Sequence, residues 1–168
     1  ATVFIDGIEK GPTPQQVTSI GVGTHLIRVE MPLYHPYIEE VNVVADGVNQ
    51  VQATLLPRFG SLSITSQPPE AAVYLNDQLK GKTPLTLAQV ASGDYSIKLN
   101  KDLYHAYEEK FTITDGSDNQ KPITLSPAFG TLSVKSVPEG AEVRVDGQLR
   151  GNTPVSIPEL PSGEYQLS

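Results

Sequence analysis

The chain has 168 residues, no cysteine and a formal net charge of −7, which excludes disulfides, thiolate metal sites and cysteine nucleophiles. That charge is spread evenly, −3, −2 and −2 over residues 1–60, 61–130 and 131–168. With no basic stripe and no apolar run of membrane-spanning length, neither nucleic acid nor direct membrane insertion is expected within these residues.

A repeat of 70 residues runs through the chain without insertion or deletion. Gly11, Gly81 and Gly151 fall at equal intervals, as do Pro14, Pro84 and Pro154. Self-similarity at a fixed period means that each repeat is one structural unit and that neighbours in the array support one another. Three segments follow: 1–60, which lacks the equivalent of the first strand; 61–130, complete; and 131–168, which stops inside a strand-like run. The chain reads as a piece of a longer protein.

The elements alternate apolar and polar residues with the period of two that marks strands. In the first segment Asp6-Gly7 reads as a tight hairpin and Gly11-Pro12-Thr13-Pro14 as a turn into the next strand. Leu33-Tyr34-His35-Pro36-Tyr37 reads as a loop, and Pro57, Phe59 and Gly60 form the linker. The second segment opens with Leu62 and Ile64 between Ser61, Ser63 and Thr65, then Val73 and Leu75 before the turn Asn76-Asp77. A short strand around Leu79-Lys80-Gly81 leads to Gly81-Lys82-Thr83-Pro84, where Gly supplies positive φ, Thr bonds nearby backbone and Pro fixes φ. Tyr95, Ile97 and Leu99, then Phe111 and Ile113, then Ile123 and Leu125 complete the unit. The third segment repeats the early part with Leu132, Val134, Val143, Val145, Asp146-Gly147, Tyr165 and Leu167.

One apolar face per strand fits two antiparallel sheets packed face to face. Seven strands per unit send the chain out at the pole opposite its entry. The stiff linker Pro127-Ala128-Phe129-Gly130 then implies head-to-tail stacking and a rod. The fold class is all-β: tandem small antiparallel β-sandwiches.

The run Gly130-Thr131-Leu132-Ser133-Val134, Val137-Pro138-Glu139-Gly140-Ala141, Val143-Arg144-Val145-Asp146-Gly147 and Gly151-Asn152-Thr153-Pro154 closely resembles the PEGA domain. The second segment carries the variant Pro68-Pro69-Glu70-Ala71. The resemblance implies a small sandwich similar to immunoglobulin or transthyretin-like modules. It also implies tandem use in bacterial envelope and surface proteins, or attachment to kinases, peptidases and formylglycine-generating-type enzymes. It brings no catalytic residues and no cofactor, and the compartment it implies is the periplasm or cell surface.

The conspicuous side chains are Tyr34, His35, Tyr37 and Phe59, with their repeats Tyr104, His105, Tyr107 and Phe129. At a pole loop they suit packing between repeats; the competing reading is a stacking platform for a glycan. Each Tyr-His-x-Tyr cluster holds a single His, with no second ligand at metal-site spacing. Asp115-Gly116-Ser117-Asp118-Asn119 lacks the oxygen series of a calcium loop and is expected to be a hairpin turn. Glu39-Glu40 and Glu108-Glu109 point to opposite faces of a strand and cannot converge on one bond. No serine sits in a Gly-x-Ser-x-Gly setting. The expected role is a non-catalytic spacer in a bacterial envelope protein; the alternative is a module recognising glycan, cell wall or another envelope protein. The expected partners are neighbouring repeats, with edge-to-edge self-association where 1–60 and 131–168 expose incomplete sheets.

Overall fold

The computed structural model describes residues 1–168, and every regular element in it is a strand. The first segment contributes β1 (Thr2–Ile5), β2 (Ile8–Pro12), β3 (Gly23–Glu30) and β4 (Tyr37–Val43). The central one contributes β5 (Phe59–Gln67), β6 (Ala72–Leu75), β7 (Gln78–Lys82), β8 (Leu85–Ala91), β9 (Gly93–Asn100), β10 (Tyr107–Ile113) and β11 (Asp118–Thr124). The third contributes β12 (Phe129–Val134), β13 (Glu142–Val145), β14 (Gln148–Asn152) and β15 (Val155–Pro161). The chain divides into two compact units, one of residues 1–63, 86–95 and 111–121, the other of 64–85, 96–110 and 122–168. The division falls within β5, β8, β9, β10 and β11, so it does not follow the 70-residue period.

The central repeat forms two sheets, ordered β10-β9-β6-β7 and β11-β5-β8. Leu62 and Ile64 on β5, Val73 on β6, and Ile97 and Leu99 on β9 are all fully buried. Alternation along each strand puts these residues on one face and the serines and lysines between them on the other. The strand around Leu79 is present as β7, so the central repeat has the seven strands its sequence implies. One pair departs from the antiparallel rule. Gly116 N donates to Phe59 O at 2.8 Å, Ser61 N to Ser117 O at 2.8 Å, and Leu125 N to Gln67 O at 2.8 Å. Both partners advance together along the chain, so β11 lies parallel to β5. Seven crossings require this, because first and last strands then run the same way.

The hairpins close as their dipeptides demand. Asp6 and Gly7, Asn76 and Asp77, and Asp146 and Gly147 all have positive φ, between 46° and 79°, as a two-residue turn matching strand twist requires. The first residue of each turn has a second task. The side chains of Asp6, Asn76 and Asp146 accept from the backbone N–H of Leu26, Ser96 and Gln166 at 2.9, 2.8 and 2.8 Å, tying each hairpin to the stretch that pairs with its first strand. Asp6 also bonds His25 Nδ1 at 2.6 Å, while His25 Nε2 faces the Gly21 carbonyl at 3.0 Å. With an acceptor before each ring nitrogen, the imidazolium satisfies both. The Asp6 bond, chiefly, raises the His25 pKa, and the same bond lowers that of Asp6.

Two turn readings are corrected. Gly11, Gly81 and Gly151 do have positive φ (113°, 148° and 135°), but they lie within β2, β7 and β14. They stand opposite Val3, Val73 and Val143, where the register slips by one residue; the glycine serves a β-bulge. The segment around Asp115 is a turn but not a hairpin. It carries the chain from β10 in one sheet to β11 in the other.

In the first repeat, β2-β1-β3-β4 form one sheet, while residues 15–21 and 48–54, the counterparts of β8 and β11, form no strand. The reason is the central place of β5 in its sheet. Remove that strand and both outer ones lose their backbone partner at once. The core loosens accordingly: Val3, Val43, Ala53 and Leu55 are half-buried, where Val73, Ile113, Ile123 and Leu125 are buried. In the third repeat β12 pairs with β15 and β13 with β14. Leu167 forms an isolated antiparallel bridge to Val145.

Candidate functional site

The side chains singled out in the sequence surround the two linkers. At the first, Leu33 adopts a left-handed φ of 64°, and Tyr34 N reaches back to Met31 O at 3.1 Å. This tight loop grips the linker twice, with His35 N donating to Leu56 O at 2.9 Å and Arg58 N to Leu33 O at 2.8 Å. The Tyr34 ring stands edge-on to Phe59, centroids 5.6 Å apart at 79°, a favourable aromatic geometry. Beyond the linker, Ser92 N donates to Arg58 O at 3.1 Å.

The second linker repeats these features. Leu103 has φ 68°, His105 N donates to Ser126 O at 2.9 Å and Ala128 N to Leu103 O at 2.8 Å. Tyr104 stands edge-on to Phe129 at 5.6 Å and 78°, and Ser162 N donates to Ala128 O at 2.7 Å. Tyr34 and Tyr104 also bridge to Pro57 and Pro127. Two separate stretches of sequence thus build the same joint to within a few tenths of an ångström.

Tyr37 and Tyr107 do not join these clusters. They open β4 and β10, where strand alternation turns them away from the linker. Their hydroxyls donate to Glu39 and Glu109 at 2.7 and 2.8 Å, and those carboxylates raise both phenol pKa values. Tyr37 packs on the first-repeat core of Ile5, Ile27 and Val29. His35 reaches farther than the sequence indicated. Its Nε2 meets Asp115 Oδ2 at 2.5 Å, and Ser92 Oγ donates to Asp115 Oδ1. The Ser92 bond first, then His35, lowers the Asp115 pKa.

A serine, a histidine and an aspartate therefore meet, with the aspartate in the middle. Nucleophilic catalysis needs the histidine beside the serine to take its proton; here both bond the carboxylate, which orients them. All three lie near the surface. No group of three or more His, Asp or Glu side chains gathers as a metal-ligand set. Ser92 and Asp115 were not singled out for the joint by sequence. Ser92 recurs as Ser162, a usable signal, whereas Asp115 shows its role only once the β10–β11 crossover brings it to the linker.

Glycine at the start of β5 marks the tightest approach in the joint. A Cβ on Gly60 would lie 2.6 Å from Ser117 Oγ, 2.7 Å from its carbonyl oxygen and 2.9 Å from Ile113 Cγ2. The same atom on Gly130 would meet nothing within 4 Å. Gly60→Ala is expected to destabilise the protein by about 1–3 kcal/mol, the usual cost of overpacking, while Gly130→Ala stays near neutral. Urea denaturation of the two variants side by side measures the difference.

Small sandwich units of one period, joined by linkers that adjacent repeats pin in place, define a tandem all-β repeat protein. The PEGA domain model matches residues 1–58, 59–128 and 129–168, and the chain belongs to that family. Comparison with curated proteins and with solved structures returned no match.

Proposed function

We propose that this chain is a non-catalytic structural spacer in a bacterial cell-envelope protein, each repeat setting the position of the next. The observation that carries this reading is the duplicated joint. The backbone bonds 35–56 and 58–33 recur as 105–126 and 128–103 at the same lengths. A freely jointed chain has no use for such fixed geometry, and a spacer depends on it. The parallel placement of β11 beside β5 adds support, since it carries the chain from one pole of the repeat to the other. Tyr34 and Tyr104 spend a ring edge or face on Phe59 and Phe129, which favours packing over a glycan platform. PEGA domains are typical of extracellular or periplasmic proteins, and that is the compartment proposed. No helix is long and apolar enough to cross a membrane.

Small-angle scattering tests the reading on chains lengthened by one and two further copies of residues 59–128. The maximum dimension should grow by a constant step of roughly 30 Å, about the span of a nine-residue strand at 3.3 Å per residue. A particle that becomes more compact per residue as copies are added overturns it. Binding of a cell-wall glycan that is lost on Tyr104→Ala, with stability unchanged, would favour the recognition role instead.

A further inference from the structure

Position 25 departs from the repeat. Its counterparts one and two periods on are Tyr95 and Tyr165. Both phenols bond back four residues: the Tyr95 hydroxyl donates to Ala91 O at 2.8 Å, and that of Tyr165 to Pro161 O at 2.6 Å. His25 makes the same clasp, with Nε2 at 3.0 Å from Gly21 O. Each clasp spans a turn into a strand. Two of these turns hold the linkers, through Ser92 N to Arg58 O and Ser162 N to Ala128 O. A phenol keeps its proton up to a pH of about 10. The imidazole has a competing commitment: Nδ1 lies 2.6 Å from Asp6 Oδ2, while Asp6 Oδ1 holds Leu26 N. Two oxygens thus ask two protons of one ring, and only the imidazolium carries both.

We propose that His25 is a pH-sensitive clasp: protonated, it ties Gly21 to β3 and to the Asp6 turn; neutral, it keeps Asp6 and releases Gly21. The carboxylate is the stronger acceptor, so the one remaining proton stays on Nδ1. Nε2 then turns a lone pair toward the Gly21 carbonyl, and that contact becomes repulsive. The Asp6 bond first, then the Gly21 bond, raises the His25 pKa above the ordinary histidine value of 6.5. A group raised on folding stabilises fully below its unfolded value, and the contribution is lost as pH rises through the raised one. Few other charges face the ring. Residues 15–22 carry no ionisable side chain. On β4 the residue opposite His25 is Val41; Glu40 stands opposite Leu26, on the other face by alternation. Lys10 on β2 acts only on Asp6, behind the stronger bonds from His25 and Leu26. The clasp therefore answers to one proton, and the phenols of the other two repeats lack that response.

Nuclear magnetic resonance on the 168-residue chain tests this. Imidazole nitrogen shifts should show both His25 nitrogens protonated at about pH 5.5 and Nδ1 alone at about pH 9. Over the same change, backbone order parameters at residues 21–24 should fall from about 0.85 to under about 0.6. His25→Tyr installs the phenol of the other repeats and should keep these residues rigid at both pH values. Asp6→Asn, matching the residue at position 76, retains an acceptor for Leu26 N and removes the charge. It should move the His25 midpoint to lower pH. Order parameters that ignore pH in the unaltered chain, or fall equally in His25→Tyr, overturn the proposal. So does a midpoint that Asp6→Asn leaves in place.

Discussion

Leu62→Ala is expected to destabilise the central repeat by about 2–5 kcal/mol, the range for emptying a fully enclosed leucine site. Leu62 has no exposed surface and sits on β5, the middle strand of its sheet. Neighbours on both sides hold the backbone in place, so the sheet cannot collapse cheaply into the cavity. Its counterpart Leu132 offers a control within the same molecule. On β12, which pairs with β15 alone, Leu132 is only half-buried. Leu132→Ala should lose less transfer energy and leave little cavity, costing under about 2 kcal/mol. Hydrogen exchange of the β5 and β12 amides, read beside urea denaturation, separates the two repeats where a global transition would blend them. Equal costs at the two sites would show that β5 gains nothing from its second neighbour.

That contrast shows where the sequence was legible and where it was not. Strand faces could be read from Leu62, Ile64, Ile97 and Leu99 because burial of a sheet face imposes a period of two. Hairpins could be read from Asp6-Gly7 and Asp146-Gly147 because few residues tolerate two successive positive φ values. Both signals are local. Asp115 was harder: a short polar turn looks the same whether it joins neighbours in one sheet or crosses between two. The partner strand decides, and that partner is β5, more than fifty residues away. Tyr37 was misplaced for a related reason. A Tyr-His-x-Tyr cluster looks like one site, but a strand beginning at Tyr37 separates the second ring from the first. The irregular stretches 15–21 and 48–54 repeat the periodicity of β8 and β11 and still form no strand, since a strand needs a partner as well as a pattern. The joint was half legible. Its rings recur visibly, but the backbone bonds and the reach of His35 to Asp115 depend on how one repeat ends against the next.

The threonine of Gly-x-Thr-Pro supplies the second large effect. Thr83→Val, nearly isosteric, is expected to cost about 2–4 kcal/mol, because it strips a hydroxyl from a closed chain of hydrogen bonds. Thr83 is 1% exposed. Its Oγ1 accepts from Ala71 N at 3.1 Å and bonds Ser66 Oγ, which in turn donates to the Pro68 carbonyl at 2.6 Å. Ser66 has one proton and gives it to Pro68, so Thr83 must donate to Ser66. The order runs Ala71 N–H to Thr83, Thr83 to Ser66, Ser66 to Pro68, and it closes the Pro68-Pro69-Glu70-Ala71 turn over β7. Thr153, Ser136, Ala141 and Pro138 build the same chain in the third repeat. Valine would leave the Ala71 N–H, on a residue with no exposed surface, without that acceptor; each such loss costs about 1–3 kcal/mol. Thr83→Ser keeps the hydroxyl and should recover most of the stability, losing only about 0.8 kcal/mol for a buried methyl. Thr13→Val should change stability by under about 0.5 kcal/mol, because Thr13 is exposed and none of the 168 residues takes the place of Ser66 in the first repeat. Thermal and urea denaturation of the three variants decide the matter. A Thr83→Val cost no larger than that of Thr83→Ser would mean that side-chain volume, and not the hydroxyl chain, holds the turn.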